Sequence, residues 1–574
     1  MRHLIYTMIS LLLPLALMAE NFRAVVIPVE FSDLTFSDHQ SATEAKISTA
    51  TSFFNDQFYP ERTFSFEVLP TVRLKKIYSW YGANSSTMRD MRCGELIRDV
   101  AAAVSADLSV YDNDGDGVID NIYILAAGPS EAEGGGADLL WPQQGFMSAH
   151  GGRFTHSGCF VDSFSICTEF ASPAIFCHEF GHVFGLPDLY DTDGADGSGT
   201  ARGLWGKLSP MDLGAGDSPG RLPANFSAID LEMLGIGNRI PFSRGFVRLQ
   251  PISSGKQYVR INSDTDDEYY LLECRKAEGW DKDIDGGGLV IYHVDRSDNN
   301  AWYSDLYKRN LTARERWSLN QVNCRPDHQC AYVVSAIPGA RSLKDAYFPQ
   351  QGRTFFSSDT DPSFRFWNGA TSRFALDRIT LAGDGSVSFY ILTPITVLSS
   401  QVFQDAIIIN WVTESEMDVN LCNISWYDEN SPGDGTANSV QVRPQDDGSF
   451  YYIIEGLKPS SNYSIRIQAI STSGSAFSNN LRLSTKGKQK GAYPFIYLNS
   501  SSRNEDGTFK SGEPLPLRVY NLENAETVLW YFNNMRIFPG SDGYWHPESN
   551  GTLKAEIWYS DGTMEIITKR ISIR

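Results

Sequence analysis

Ser172-Pro-Ala-Ile-Phe-Cys-His178-Glu179-Phe-Gly-His182-Val-Phe-Gly185-Leu-Pro-Asp188 carries its own start and stop signals for a helix. Ser172 suits the N-cap and Pro173 the first helical position, while Gly185 and Pro187 end the run. His178 and His182 are four residues apart and share one face, so both imidazoles can reach a single metal ion. Glu179 stands beside them, where it can accept a proton from a water on that ion. Zinc lowers the pKa of such a water from about 15.7 to about 7. With nine histidines in 574 residues, a chance His-Glu-x-x-His match is an event on the order of 10⁻². The bland alternative is two satisfied core histidines on an amphipathic helix.

A catalytic zinc keeps one position open and takes three protein ligands. Gly185 lets the chain turn sharply after the helix, which brings Asp188 back toward the metal as candidate third ligand. The competing reading places Asp188 in the acidic loop Asp188-Leu-Tyr-Asp191-Thr-Asp193-Gly-Ala-Asp196, a calcium loop instead. His150, His156, His293, His328 or a more distant Glu are further candidates for the third position. Tyr190 is placed to hydrogen-bond a developing oxyanion, and equally to be a surface aromatic. Met211, in Ser209-Pro-Met-Asp212, reads by itself as packing, as does the Cys177 thiol on another face of the helix.

A second constellation is Asp112-Asn-Asp114-Gly-Asp116-Gly117-Val-Ile-Asp120. Oxygens at positions 1, 3, 5 and 9 with Gly at 6 match the wrapping of a calcium ion. Tyr123 replaces the bidentate Glu of an EF-hand, and a strand follows in place of a helix. The expectation is a structural calcium tying helix 93–106 to strand 121–127, against a plain acidic turn. Glu133-Gly-Gly-Gly136 lacks the Lys-Ser/Thr of a phosphate loop and reads as a loop.

Working outward, strands and helices alternate over 23–185: a β-branched run at 24–29, helical patterns at 42–54 and 93–106, a strand pattern at 64–77 and a buried strand at 121–127. That pattern makes an α/β (α+β) sheet with packed helices. From about Gly245 the chain turns to strands and turns. Thr393 to Thr485 repeats alternating strands, and Leu457-Lys-Pro-Ser-Ser-Asn-Tyr463 resembles the tyrosine corner of a fibronectin type III sandwich. Lys486-Gly-Lys-Gln-Lys490 reads as a linker to a second sandwich. The expected organisation is a signal peptide (1–19), a catalytic domain (20–244), a β-rich companion (245–393) and two β-sandwiches, fibronectin type III-like (394–485) and Ig-like (491–574). At roughly 150 residues per domain the length suits about four.

The chain has 49 Lys+Arg against 69 Asp+Glu, a net charge of −20. Phosphate backbones and anionic lipids draw on a Lys/Arg excess, so nucleic-acid binding is excluded. Arg2 and His3 precede an apolar run ending at Leu17-Met-Ala19, too short to span a bilayer comfortably. It reads as a cleaved export signal, with a mature chain from about Glu20, no transmembrane segment and no room for a pro-domain. Export permits disulfides. Among eight cysteines, Cys324–Cys330 is the first local pair to expect, then Cys159–Cys167 across an apparent hairpin, with Cys422 a buried thiol.

Taken together, His178-Glu-Phe-Gly-His-Val-Phe-Gly-Leu-Pro-Asp-Leu-Tyr-Asp191, Tyr111 to Asp120 and Leu140-Trp-Pro142 resemble the immune inhibitor A family of secreted bacterial metallopeptidases. Trp280-Asp-Lys, Gly286 to Asp295 and Trp317-Ser-Leu-Asn-Gln-Val-Asn323 are similar to that family's β-rich companion region. The resemblance, over about 23–393, implies a metzincin-like zinc endopeptidase fold. It implies His178, His182 and Asp188 as zinc ligands, Glu179 as general base and acid, Met211 as a turn beneath the metal, and bound calcium. Pro210 and Asp212 depart from the pattern expected at that turn. Two functions from different classes follow: a secreted peptidase acting on protein or peptide substrates, or an inactive adhesin on a peptidase scaffold. In either, the C-terminal sandwiches offer a surface for a cell-surface or matrix ligand. Hydrolysis of a non-peptide substrate at the same zinc is a third.

Overall fold

β-branched and aromatic residues alternate in side through the opening strand, and that alternation sets up two cores. The computed structural model describes residues 20–574 apart from 86–87, 193–201, 213–220, 264–266, 415–418, 430–437, 446, 472–475, 488–493, 499–507, 521, 523–524 and 541–543, and β1 (Glu20–Glu30) is an inner strand of its first sheet. The signal-like segment 1–19, Asp193, Asp196 and most of the 486–490 linker lie outside the described residues.

β1 pairs in parallel with β2 (Arg62–Val68), β3 (Val72–Arg73) and β5 (Ile122–Ala126), while β4 (Val118–Ile119) belongs to a small separate sheet. β5 runs parallel to β9 (Ser163–Thr168), and β6 (Gln143–Phe146) closes that edge antiparallel to β9. Phe22, Ala24, Val26, Tyr123, Leu125 and Cys167 face one way. They meet Phe53, Phe54 and Phe58 of α1 (His39–Phe58) and Phe176 and Phe180 of a later helix. Val25, Ile27, Val29, Ile122, Ile124 and Ile166 face the other way, onto Leu96, Ile97 and Val100 of α3 (Cys93–Ala103), which follows the short α2 (Tyr78–Gly82). Helices thus cover both faces, as an almost wholly apolar parallel sheet requires. The expected strand 64–77 is split, because Pro70 has no N–H for a ladder and the chain bends there.

The region after 235 supplies a second sheet, in the order Asn238–Ile240, Gln257–Asn262, Glu268–Lys276, Gly287–Asp295, Ala331–Val333. Its inward residues Tyr258, Tyr269, Leu271, Val290, Tyr292 and Val294 join the core that α1 helps to build. A buried charge cluster ties the two regions. Arg275 pairs with Glu273 and with Asp281 (2.9 Å), and its Nη2 donates to Leu208 O (2.6 Å). An arginine with no exposure survives because both carboxylates and a carbonyl take its donors.

The chain divides into two compact units, one holding Met1–Ser243, Arg248–Thr354 and Ile379–Ser388, the other Arg244–Val247, Phe355–Arg378 and Phe389–Arg574. The second is β-rich. Strands Ile395–Val402, Ala406–Thr413 and Phe450–Glu455 form one sheet; Asn438–Val442, Val419–Asp428, Asn462–Ser471 and Ala476–Ser484 form another. They share a core of Trp411, Ile424, Phe450, Ile465 and Ile467. The Tyr463 hydroxyl accepts from Lys458 N (2.9 Å), and Cys422 is a buried free thiol. A further sheet, in the order Met535–Ile537, Ala525–Phe532, Gly551–Tyr559, Met564–Ile571, packs around Trp530, Leu553 and Ile571.

The expected disulfides do not form: none of the eight cysteines is in a disulfide. Cys159 and Cys167 do not flank a hairpin. β8 (Cys159–Val161) pairs with β7 (Phe154–His156) and β4, in a different sheet from β9. Their side chains also join different cores, which keeps the sulfurs apart. Cys324 Sγ instead meets Thr192 Oγ1 (3.2 Å), while Cys330 is packed in the core.

Candidate metal centre

Ser172 Oγ accepts from Ile175 N (3.2 Å) and opens α4 (Pro173–Gly181). A 3₁₀ turn, His182–Phe184, ends at Gly185 with φ 80°, the left-handed conformation that glycine adopts without penalty. The reversal brings Asp188 under the helix. Ligand atoms of His178, His182 and Asp188 all lie within 4.8 Å of one another. His178 Nε2 is 3.0 Å and His182 Nε2 3.4 Å from the same oxygen, Asp188 Oδ1.

The remaining donors of this set are already spent. His178 Nδ1 donates to Pro210 O and His182 Nδ1 to Leu186 O, each at 2.7 Å. A carbonyl only accepts, so each Nδ1 carries a proton and Nε2 is the atom each ring presents to Asp188. Asp188 Oδ1 is buried and accepts no hydrogen bond. Two Nε2 atoms converging on one buried anionic oxygen outline a place that a shared cation can take, and two imidazoles with a carboxylate are a donor set that suits zinc. A proton competes with a metal for the same nitrogen. Burial opposes charge on His178, yet the Asp188 carboxylate outweighs it and the imidazole is pushed up to about 9. Burial likewise opposes ionisation of Asp188, but the two histidines hold its carboxyl far below the usual range.

Glu179 is buried beside the triad; burial raises its pKa, while His178, His182 and the Gln144 N–H on β6 oppose the rise. A raised carboxyl near imidazoles is suited to taking and returning a proton. The Tyr190 ring lies 6.3 Å from that of His178; burial first, then the Asp188 and Glu179 charges, keep its phenol protonated as a donor. Met211 packs against α4. Its Sδ would lie 2.7 Å from a Cβ on Gly181, so glycine there makes room for it. Leu189 N donates to Met211 O (2.8 Å), joining Met211 to the ligand loop. The unusual neighbours of Met211 have uses: Pro210 offers the carbonyl that orients His178, and Asp212 accepts from Gly206 N.

The other histidines are held elsewhere. His293 lies between Glu268 (2.8 Å) and Tyr332 (2.9 Å), and His328 sits on Asp295 (3.0 Å). His150 packs against Phe164 and His156 against Ser157, so none joins the triad. A residue without an assigned role in the sequence does join it. Asn320 Oδ1 accepts from Asp188 N and its Nδ2 donates to Asp188 Oδ2, both at 2.7 Å.

The acidic loop brings carboxylate oxygens of Asp112, Asp114 and Asp116 within 4.8 Å of one another. Asp112 accepts from Gly115 N and Gly117 N at 2.9 Å, and Asp116 Oδ1 from Val118 N at 2.8 Å. Asp120 turns to Asn113, accepting from its N (2.7 Å) and Nδ2 (2.8 Å). Asn113 in turn accepts from Arg23 N (2.8 Å), so the loop is fastened to β1.

Residues 20–235 match the family described as "Immune inhibitor A peptidase M6, catalytic domain". The chain is 28% identical over 234 residues to the "Pre-pro-metalloprotease PrtV" of Vibrio cholerae serotype O1 (strain M66-2), covering 35% of this chain and 25% of that protein. It is 27% identical over 231 residues to "Immune inhibitor A" of Bacillus thuringiensis subsp. alesti, covering 34% of this chain and 33% of that one. The chain therefore spans about a quarter to a third of the length of these curated relatives. Among solved structures, the fn3 domain of human collagen alpha-1(XX) chain aligns with 18% of this chain and 88% of its own, at 16% identity and a TM-score of 0.14, too low for a likeness of fold. The segment that builds the His178–His182–Asp188 triad is, along its whole length, similar to the catalytic domain of the immune inhibitor A peptidases.

Proposed function

We propose that this protein is a secreted zinc-dependent endopeptidase. The observation that carries the reading is the convergence of two Nε2 atoms on the buried Asp188 Oδ1, each imidazole locked by a carbonyl on its other nitrogen. His178, His182 and Asp188 hold the metal. Zinc, when bound, polarises the scissile carbonyl and makes a water acidic enough to ionise near neutral pH. Glu179 takes the proton from the attacking water at its carboxylate and hands it to the leaving amine. Tyr190 donates its hydroxyl hydrogen to the oxygen on which charge develops, and Met211 holds the ligand loop from below.

Export is inferred from the signal-like pattern of residues 1–19 and from the similarity to the immune inhibitor A peptidases. Among the described residues no helix is long and apolar enough to cross a membrane. The Asp112–Asp114–Asp116 loop is read as a structural calcium site, with Asp120 bracing it through Asn113. The domain order is read as 20–244, 245–393, 394–485 and 491–574; the Tyr463 hydroxyl contact favours a fibronectin type III-like third domain. An Ig-like fourth would share with it a protein or matrix ligand.

The test is zinc content by elemental analysis with casein cleavage, wild type beside Glu179→Ala. The variant is expected to keep one zinc per chain and lose about 10²–10⁴-fold in turnover. Substantial residual cleavage rejects Glu179 as the base. Absence of zinc from the wild type rejects the peptidase and favours the adhesin.

A further inference from the structure

Asp188 is held from outside the segment that matches the peptidase catalytic domain, which ends at residue 235. Asn320 follows the short helix Ala313–Ser318 and has φ 54°, a left-handed conformation that asparagine tolerates better than most residues. From there its amide meets Asp188 twice, accepting from the backbone N and donating to Oδ2. The Asn320 carbonyl accepts from Thr192 Oγ1 (2.7 Å), and Asn323 Nδ2 donates to Leu189 O (2.7 Å). Four hydrogen bonds thus run from 320–323 to the loop 188–192. Two of them go to Asp188, at its backbone N and at Oδ2, and leave Oδ1 as the carboxylate oxygen that faces both imidazoles.

We propose that Asn320 is a positioning residue for the metal. By tying Oδ2 and the backbone N of Asp188 it leaves a single carboxylate oxygen free, fixes where that oxygen points, and makes the β-rich companion region part of the metal centre. Partners of this kind, one bond removed from the metal, typically set affinity by about 10–100-fold. The inference rests on the zinc reading above.

Two substitutions separate positioning from folding. Asn320→Asp keeps the preference for a left-handed backbone and an acceptor for Asp188 N, but removes the Nδ2 donor and sets a second carboxylate against Oδ2. Asn320→Gly suits φ 54° and deletes the clamp without adding charge. The zinc dissociation constant of the full chain is measured by chelator competition, with the absorption spectrum of the cobalt-substituted protein as a report on ligand geometry. Melting of the metal-free forms checks the fold. The expected result is zinc binding weakened about 10–100-fold in both variants, an altered cobalt spectrum, and metal-free melting close to wild type. Wild-type affinity and spectrum in Asn320→Gly overturn the inference. So does weakened binding matched by an equally large loss of metal-free stability, since the role is then structural. A wild type that binds no zinc fails the underlying reading instead, and Asn320 falls with it.

Discussion

The His178–His182–Asp188 triad and the Asp112–Asp114–Asp116 loop both gather three ligand atoms within 4.8 Å, and they differ in where their hydrogen bonds go. In the triad, backbone carbonyls and one asparagine take the outward-facing atoms, leaving Nε2, Nε2 and Oδ1 turned inward. In the loop the carboxylates accept from the loop's own N–H groups, and two of the three aspartates are exposed. In the first, the buried Asp188 charge is met by two imidazoles and one amide instead of water, and the atoms turned inward are the ones a cation would take. The second is a satisfied turn that a cation can tighten. Burial, rather than the number of acidic groups, separates a site built around a metal from one able to accept it.

That contrast can be broken at its strongest point by Asp188→Ala. The expected outcome is loss of stoichiometric zinc and of casein cleavage together, measured by elemental analysis and assay; a variant with full zinc content removes Asp188 from the ligand set. Asp90 sharpens it, since it is a second fully buried carboxylate whose Oδ1 has no hydrogen-bond partner, here with no imidazole facing it. Burial raises its pKa from 3.8 to about 7, against the opposing bonds from Trp141 N and Gln143. The folded state then binds the proton more tightly than the unfolded chain. Stability is therefore full below about pH 4 as far as this group is concerned, falls as pH rises toward about 7, and is flat above. Asp90→Asn should remove that slope, by a few kcal/mol at about 1.4 kcal/mol per unit; denaturant melts at pH 5 and 8 that keep the slope in the variant assign it elsewhere. The smallest effect is expected at the acidic loop. Calcium removal from a sample kept saturated with zinc should lower the melting temperature by a few degrees, at roughly 2–4 °C per kcal/mol for a domain of this size. An unchanged melting temperature leaves the loop a plain turn.

Much of the metal centre was legible because short-range geometry wrote it. His178 and His182 lie on one helical face by periodicity alone, and Gly185 announces the reversal that carries Asp188 back. The carbonyls of Pro210 and Leu186 were not legible, since every residue has a carbonyl and only folding aims it. Asn320 stood in a block quoted for its resemblance, yet its use depends on a contact across 132 positions. The expected disulfides failed for the same reason in reverse: nearness in sequence placed Cys159 and Cys167 together, whereas the β-strand period and a change of sheet sent them to different cores.

By itself the sequence determined the local elements and their chemistry: the capped helix with its two histidines, the alternation that gives the parallel sheet two apolar faces, and an acidic loop with calcium spacing. These follow from periods of 3.6 and 2 residues and from the fixed geometry of Gly and Pro. Only the tertiary structure decided which oxygen of Asp188 is left free, which His residues stand apart from the triad, that Met211 fits beneath Gly181, and that 317–323 reaches the ligand loop. Those are long-range matters of packing and hydrogen-bond satisfaction, where each polar group takes whatever partner the whole fold brings to it.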